Sequence, residues 1–201
     1  MRYRSVLAKA FLTCALLLAV APLASAQPPP ASRPASIAFE ADGISYFISG
    51  YSAIATLTLR NRLLVALGTG RYELPKFLLE GDKNYDTAKW EATSTSVQVL
   101  RVGYRFNGAM RNGPVLGLIA LNQNFRLTSE PLAGSTRFRE LNVGLTGGYY
   151  FHIGSHFYIY PTVAFTYNSI LSGETSINGT SFTVEKFAPN GSVHVGWEWG
   201  L

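Results

Sequence analysis

The sequence predicts an all-β fold, an antiparallel transmembrane β-barrel of eight strands that follows a cleaved signal peptide. Segments of ten residues or more recur in which apolar and polar residues alternate, as expected of strands with one face in lipid. The connections between these segments alternate between short and long. Charged residues make up only 14% of the chain, well below the roughly 25% of soluble domains.

The first 26 residues are typical of a secretory signal peptide. Arg2, Arg4 and Lys9 give a positive start, residues 10–20 are apolar, and Ala24-Ser25-Ala26 forms a small-residue cleavage site. An uncleaved membrane anchor is the alternative. The apolar run is shorter than the roughly 20 residues that a transmembrane helix needs, so we favour cleavage.

Cleavage leaves a chain without cysteine, because Cys14 lies within the apolar run. This excludes disulfides, thiol catalysis and cysteine-based metal sites from the mature chain. It also leaves 14 basic and 12 acidic residues, a formal charge of +2, which gives no indication of nucleic-acid binding. Residues 27–36 are rich in Pro, Ala and Ser and predict a flexible leader, and residues 37–201 form the predicted barrel domain.

Seven segments predict strands: Tyr51–Arg60, Leu63–Leu74, Val97–Phe106, Pro114–Leu127, Glu140–His152, His156–Asn168 and Gly191–Leu201. An earlier segment, Ile37–Ile48, is ambiguous because Ala41-Asp42-Gly43 interrupts its alternation. It predicts a first strand, a short helix or an extended leader. A barrel with an even number of strands requires the first of these.

The last strand has the clearest pattern. Its outward face is wholly apolar and comprises Val193, Val195, Trp197, Trp199 and Leu201. The opposite face holds Ser192, His194, Gly196, Glu198 and Gly200. Apolar residues toward lipid and small or polar residues toward the lumen are typical of membrane barrels.

The connections suggest which end of the barrel is which. The short ones are 61–62, 107–113 and 153–155, and the longer, more polar ones are 75–93, 128–136 and 171–190. Membrane barrels have short periplasmic turns and longer extracellular loops. Loops of this kind often carry function, so residues 75–93 and 171–190 are candidates for a binding surface.

The inward faces carry charged residues that we expect to form a polar network in the lumen: Arg60, Arg101, Arg105, Arg126, Glu140 and Glu198. In Pro114–Leu127 this places Asn122, Asn124 and Arg126 inward and the alternate apolar residues outward. Side chains just fill an eight-stranded barrel, so a plugged lumen is favoured over a narrow polar pore.

The three histidines suggest two further alternatives. Ser192, His194 and Glu198 share a strand face, and a hydrolase needs a serine beside a histidine that a carboxylate orients. The local pattern resembles neither the lipid A deacylases nor the palmitoyltransferases, so catalysis is not favoured. His152 and His156 have no acidic neighbour, and a metal site needs three or four converging ligands, so neither a metal nor another cofactor is expected.

The chain resembles the small outer-membrane barrels of the OmpA, OmpX and OmpW type and the related porin-like barrel domains. The resemblance covers nearly all of the mature chain. It rests on the signal, the paired strands, the segments 147–151 and 157–161, and the ending Val193-His194-Val195-Gly196-Trp197-Glu198-Trp199-Gly200-Leu201. Members commonly end in Phe, where this chain has Leu201.

The resemblance implies a Gram-negative outer-membrane protein, exported by a Sec-type signal and recognised by the assembly machinery through its last strand. It implies a monomer in contact with outer-membrane lipid and lipopolysaccharide. The expected function is structural or weakly porin-like. A lipid-modifying enzyme and a surface adhesin acting through residues 75–93 and 171–190 are the alternatives, because many unrelated activities share this architecture.

Overall fold

The structure, a computed structural model, describes residues 34–201. Its ten strands are β1 Ser36–Asp42, β2 Tyr51–Leu59, β3 Leu63–Glu73, β4 Glu91–Arg105, β5 Gly113–Ser129, β6 Gly134–Ile153, β7 Phe157–Gly173, β8 Ser176–Ile177, β9 Thr180–Ser181 and β10 Phe187–Gly200. Three short helices lie in the connections: α1 Gly43–Phe47, α2 Lys76–Leu79 and α3 Tyr85–Ala88. The predicted signal peptide and residues 27–33 of the predicted leader lie outside the described residues.

Eight strands form a closed antiparallel barrel in the order β1-β10-β7-β6-β5-β4-β3-β2. The first and last strands pair over seven residues, from Ser36 opposite Gly200 to Asp42 opposite His194. The remaining two, β8 and β9, form a small hairpin of their own. The predicted fold class and the number of barrel strands are confirmed.

The two ends of the barrel differ. The end that holds Ser36 and Gly200, here called the terminal end, has the connections 60–62, 106–112 and 154–156. The opposite loop end has 43–50, 74–90, 130–133 and 174–186. The expected long connection at 128–136 is instead short, because β5 and β6 stay paired up to Ser129 opposite Gly134.

The ambiguous segment contains both a strand and a helical turn. β1 pairs with β2 as well as with β10, so it completes the barrel. The strand ends at Asp42, whose carboxylate accepts hydrogen bonds from the Ile44 N–H at 3.0 Å and the Ser45 hydroxyl at 2.7 Å. This N-cap starts α1, which accounts for the broken alternation.

The outer surface of the barrel is an apolar band between two groups of exposed aromatic residues. At the terminal end these are Phe39, Tyr104, Phe106, Trp197 and Trp199, and nearer the loop end Tyr51, Phe165, Tyr167 and Phe187. Ten residues separate Phe187 from Trp197 on β10, which at a rise of about 3.3 Å per residue and a tilt of about 40° gives a band about 25 Å tall. That height matches the lipid-facing band of membrane barrels. Within residues 34–201, no helix is both long and apolar enough to cross a membrane.

Pro161 is the fifth residue of β7 and lies on its outer face. The β6–β7 pairs run up to Gly148 opposite Thr162 and resume at Phe151 opposite Ile159. The gap falls where the proline has no N–H to donate. A break of two residues in this long hairpin therefore accommodates a residue that strands otherwise exclude.

Candidate functional site

The lumen is crossed by an ion pair between two opposite strands. Arg105 lies on β4 and Glu198 on β10, which are four strands apart in either direction round the barrel. The Arg105 Nη1 donates to Glu198 Oε1 at 2.7 Å, and Nη2 donates to Oε2 at 3.3 Å. Both side chains are buried, so their contact closes the lumen near its terminal end.

Two further groups complete what we call the Glu198 cluster: Ser36, Arg105, His152 and Glu198. The Ser36 hydroxyl donates to Glu198 Oε1. His152 Nε2 lies 2.8 Å from Glu198 Oε2, within hydrogen-bonding distance. The carboxylate thus has three polar partners, and a buried charge needs such partners to offset the loss of water.

A second cluster of the same kind lies next to the first: Glu40, Thr56, Arg101 and His194. Arg101 Nη2 donates to both carboxylate oxygens of Glu40 at 3.0 Å. The Thr56 hydroxyl donates to Glu40, and His194 Nδ1 lies 3.6 Å from it. This Glu40 cluster joins β1, β2, β4 and β10, so a second ion pair spans the lumen.

Three tyrosines from β6 and β7 fill the other side of the lumen. Tyr150 and Tyr160 are stacked with ring centroids 4.1 Å apart, and Tyr158 meets Tyr150 edge-on at 4.9 Å. The guanidinium of Arg105 lies 4.1 Å from the Tyr150 centroid, and that of Arg101 lies 4.8 Å from Tyr160. Cation–π contacts therefore join this tyrosine stack to both ion pairs.

Glycines make room for the tyrosine stack. A Cβ on Gly196 would lie 2.4 Å from the Cζ of Tyr158, and one on Gly148 would lie 2.7 Å from the Cε2 of Tyr160. Real contacts of this kind are wider, so any larger residue would force the rings to move. At these two positions a methyl group has no room unless its neighbours move.

Toward the loop end the lumen contains a hydrogen-bond chain made mainly of amide side chains. The Tyr72 hydroxyl donates to Gln123 at 2.6 Å, Gln123 donates to Asn142 at 2.6 Å, and Asn142 donates to Asn168 at 2.7 Å and to Glu140. Within residues 34–201, Glu140 forms no ion pair. The chain joins β3, β5, β6 and β7 and spans the lumen above the ion pairs.

A hydrophobic cluster covers the loop end. It contains Leu79, Ala88, Trp90, Ala92, Phe125, Leu127, Phe138 and Ile177, with Phe182 and Val184 packed against it. Asp82 connects its two loops: one carboxylate oxygen accepts from Trp90 Nε1 at 3.2 Å, and the other accepts from the Thr183 N–H at 2.8 Å. We call this cluster the loop cap. It lies on the inner faces of β4–β6 and beneath residues 74–90 and 174–186.

The predicted network residues fall into two groups. Arg101, Arg105, Glu140 and Glu198 lie inside the barrel and are buried. Arg60 does not, because β2 ends at Leu59 and Arg60 and Asn61 adopt positive φ values of 47° and 64° in the turn. Arg60 is therefore exposed at the terminal end, which corrects the prediction for this residue.

Arg126 is also exposed, because the faces of β5 are the reverse of those predicted. Phe125 and Leu127 point inward into the loop cap, and Asn122, Asn124 and Arg126 point outward. The predicted rule, polar inward, holds only within the membrane-facing part of a barrel. Beyond it the inner face can be an apolar core and the outer face can meet water.

Sequence reasoning missed Glu40 and the tyrosine stack. Glu40 lies in the segment whose alternation was ambiguous, where treating β1 as a strand puts Ser36, Ala38 and Glu40 on one face. Tyr158 and Tyr160 fall on the predicted inward face of β7, and Tyr150 falls on the predicted inward face of β6. No sequence signal indicates that these rings meet the arginines of β4.

The histidines take part in packing. The Ser192 hydroxyl donates to Asp42, and His194 faces Glu40, so Ser192, His194 and Glu198 do not form the catalytic arrangement that was considered. His156 Nδ1 lies 2.8 Å from the carbonyl oxygen of Glu198, and its ring stacks on Trp197. Between residues 34 and 201, no group of three potential metal-ligating side chains comes together.

The C-terminal strand has its predicted apolar face outward. Val193 is partly buried against neighbouring side chains, and Val195, Trp197, Trp199 and Leu201 are exposed. Trp199 contacts Phe39 of β1 edge-on with centroids 6.2 Å apart. The Leu201 N–H donates to the Ala35 carbonyl at 2.9 Å, so the last residue is paired with the strand that closes the barrel.

Comparison with solved structures identifies the fold. The chain is similar to the N-terminal β-barrel domain of Pseudomonas aeruginosa OprF, with a TM-score of 0.53 and 13% identity, over 82% of this chain and 96% of that domain. The fold is that of the small outer-membrane β-barrels. The chain matches no protein-family model and no curated protein.

Two further outer-membrane barrels are similar at lower scores. Neisserial surface protein A gives a TM-score of 0.48 and 14% identity over 83% of this chain and 94% of that protein. A major outer membrane protein from Thermus thermophilus gives a TM-score of 0.49 and 14% identity over 82% of this chain and 99% of that protein. At these identities the chain shares an eight-stranded barrel with these proteins, and a shared fold does not imply a shared function.

Proposed function

We propose that the protein is a non-conducting barrel of the bacterial outer membrane with a structural role in the envelope. The observation that carries this proposal is the hydrogen-bonded contact between Arg105 and Glu198 across the lumen. A water-filled pore needs a continuous open path along the barrel axis. Here ion pairs, stacked tyrosines and the loop cap follow one another along the barrel axis.

The packing of the lumen supports a static rather than a gated plug. Opening a path past Arg105 would leave the Glu198 carboxylate and the guanidinium unpaired in a site of low polarity. Breaking a buried ion pair in this way costs about 3–5 kcal/mol. The Glu40–Arg101 pair and the cation–π contacts with the tyrosine stack would add to that cost.

Planar-bilayer recordings test the closed lumen. We expect the refolded chain to insert without discrete conductance steps. The matched control combines Arg101→Ser, Arg105→Ser, Gln123→Ser and Tyr150→Ala with replacement of residues 76–89 by a Gly-Ser linker. It removes both ion pairs, the hydrogen-bond chain and the loop cap, so it should open a path and give steps. Reproducible steps from the wild-type chain would overturn the proposal, whatever the control does.

A deletion strain tests the structural role. We expect loss of the protein to increase uptake of a hydrophobic dye under detergent stress. The wild-type gene and an Arg105→Met/Glu198→Leu variant should both restore the barrier, because the variant keeps the barrel filled without this ion pair. Unchanged dye uptake in the deletion strain under stress would argue against an envelope role.

A surface-binding function through the loops is the second candidate, because the two longest loops form one packed unit. Asp82 joins residues 74–90 to the hairpin 174–186, so the loop end presents a defined surface. We expect replacement of residues 76–89 to remove any binding to host or phage surfaces while the barrel still folds. Unchanged binding by that variant would eliminate this candidate.

A further inference from the structure

Three arginines form a cluster on the outer face of the barrel near the loop end: Arg126 on β5 and Arg137 and Arg139 on β6. We call them the arginine patch. Arg126 and Arg137 are directly opposite one another in the β5–β6 register, and Arg139 is diagonal to Arg126. Side chains directly opposite in a sheet have Cβ atoms about 5 Å apart, and diagonal ones about 7–8 Å. All three side chains are exposed.

Like charges directly opposite in a sheet destabilise it unless an opposite charge compensates them. Among residues 34–201, none of the three arginines forms an ion pair. Two acidic residues flank the patch: Glu174, whose N–H donates to the Arg137 carbonyl oxygen at 3.2 Å, and Glu91, which is diagonal to Arg126 across β4 and β5. Neither carboxylate lies within ion-pair distance of the three guanidinium groups. The three guanidinium groups thus lie close together without a direct ion pair to a carboxylate of the described residues.

The site is built rather than incidental. Asn122 Oδ1 accepts from Arg139 Nε at 2.7 Å, and Asn122 in turn donates to Gln98 at 2.7 Å. These two amide side chains hold the Arg139 guanidinium at its Nε. Shifts in register occur nearby, between Ser94 and Ser96 on β4 and opposite Arg139 and Glu140 on β7. Such β-bulges re-aim side chains.

An open cleft of about 510 Å³ is lined by the arginine patch, together with Asn124, Phe125, Phe138 and Ser172. The cleft combines several guanidinium groups, which bind phosphate through paired N–H donors, with hydroxyl and amide groups that suit a sugar.

The height of the arginine patch relative to the apolar band indicates which part of the membrane it contacts. On β6 the outward apolar residues run from Ile153 to Leu141, and Arg139 is the next outward position. Arg137 and Arg126 lie one step further from the band, which is about 5 Å on a tilted strand. The patch therefore lies at headgroup level at the end with the longer loops, which faces the cell exterior in barrels of this fold.

We propose that the arginine patch binds a phosphate group of a glycolipid in the outer leaflet, the position that the phosphorylated sugars of lipopolysaccharide occupy. The guanidinium groups of Arg126 and Arg137 clamp the phosphate, and Arg139 contacts the same headgroup. The proposal depends on the orientation of the barrel in the outer membrane and not on the filled lumen.

Binding to the refolded full-length chain in detergent micelles tests the proposal, with native mass spectrometry as the readout. The probes are lipid A with two phosphates, the same lipid A without phosphates, and inorganic phosphate. We expect the bisphosphorylated lipid to bind, the dephosphorylated lipid to bind at least tenfold more weakly, and millimolar phosphate not to displace it. Equal binding of both lipids, or equal binding of inorganic phosphate alone, would overturn the assignment to a lipid phosphate.

The variant R126Q/R137Q should bind the bisphosphorylated lipid at least tenfold more weakly than the wild-type chain. R71Q removes another exposed outward arginine, on β3, and should bind like the wild-type chain. Unchanged affinity in the double variant, or an equal loss in R71Q, would refute the site. A heat-dependent shift in gel mobility shows that each variant is folded.

Comparing the stability of R137Q with that of the wild-type chain, with and without lipid A, distinguishes a binding site from a structural cluster. Without lipid, R137Q removes the repulsion with Arg126, so its urea midpoint should rise. With lipid A present, the wild-type chain should gain more stability than R137Q does. A variant that is less stable than the wild-type chain in the absence of lipid would show that the arginines have a structural role.

Discussion

Arg105 and Glu198 meet at 2.7 Å inside the lumen near the terminal end of the barrel, although they lie on strands at opposite sides of it. The contact is bidentate and is continued by Ser36 and His152 on the carboxylate and by Tyr150 beneath the guanidinium. Strands that are never hydrogen-bonded to each other are thereby held together through their side chains. Side-chain contacts across the lumen therefore help to hold the barrel closed, in addition to the hydrogen bonds between neighbouring strands.

Removing one member of this pair should destabilise the barrel. We expect Arg105→Met or Glu198→Leu alone to lower the free energy of unfolding by about 3–5 kcal/mol, because each leaves a buried charge without its partner. The double variant should lose less than the sum of the two, since it leaves no charge behind. Urea unfolding in micelles, followed by tryptophan fluorescence, measures all three. Single variants as stable as an Arg71→Gln control would contradict this account of the pair.

The glycine at position 196 should not tolerate a side chain. A methyl group there would overlap the ring of Tyr158, so we expect Gly196→Ala to lower the free energy of unfolding by about 1–3 kcal/mol, the usual cost of overpacking. Gly191→Ala on the same strand is the control, because its Cβ would have only an ordinary contact at 3.9 Å. If both variants unfold at the same urea concentration, the lumen has more space than this packing allows.

The loop cap should depend on Asp82 more than on its neighbours. Asp82→Ala removes the acceptor for Trp90 Nε1 and the Thr183 N–H. We expect amide exchange in residues 174–186 to become at least tenfold faster, while the barrel strands keep their protection. Asp86→Ala, which loses only an exposed ion pair with Lys89, should leave exchange unchanged. Equal protection in the two variants would mean that the two loops are held by apolar packing alone.

The last residue should matter for assembly in the cell more than for stability. Leu201 is 61% exposed, so Leu201→Asp should change the urea midpoint of the refolded chain little. We expect this variant to accumulate less in the outer membrane, whereas Leu201→Phe should assemble at least as well as the wild-type chain. The folded fraction in isolated outer membranes, measured by heat-dependent gel mobility, is the readout. Normal accumulation of Leu201→Asp would contradict the expectation that the assembly machinery recognises this residue.

The sequence determined the class of fold because period-two alternation is a local property of a strand. In β6, β7 and β10 one face is apolar and the other small or polar, and the structure has the same faces. Within the band, β5 carries apolar residues such as Leu118 and Ile119 on both faces, so its orientation could not be deduced. Toward the loop end the prediction for β5 was wrong, because Phe125 points inward into the loop cap and not outward.

Which residues meet in the lumen was decided only by the tertiary structure. The sequence indicates that Arg101, Arg105 and Glu198 point inward, but their partners depend on how the strands are staggered when the barrel closes. Glu40 became a partner of Arg101 only because β1 joins β10 and completes the ring. The same is true of the arginine patch, where Arg126 and Arg137 meet because the β5–β6 hairpin continues beyond the apolar band. Alternation along one strand fixes the direction of a side chain, but only register and closure between strands fix its neighbours.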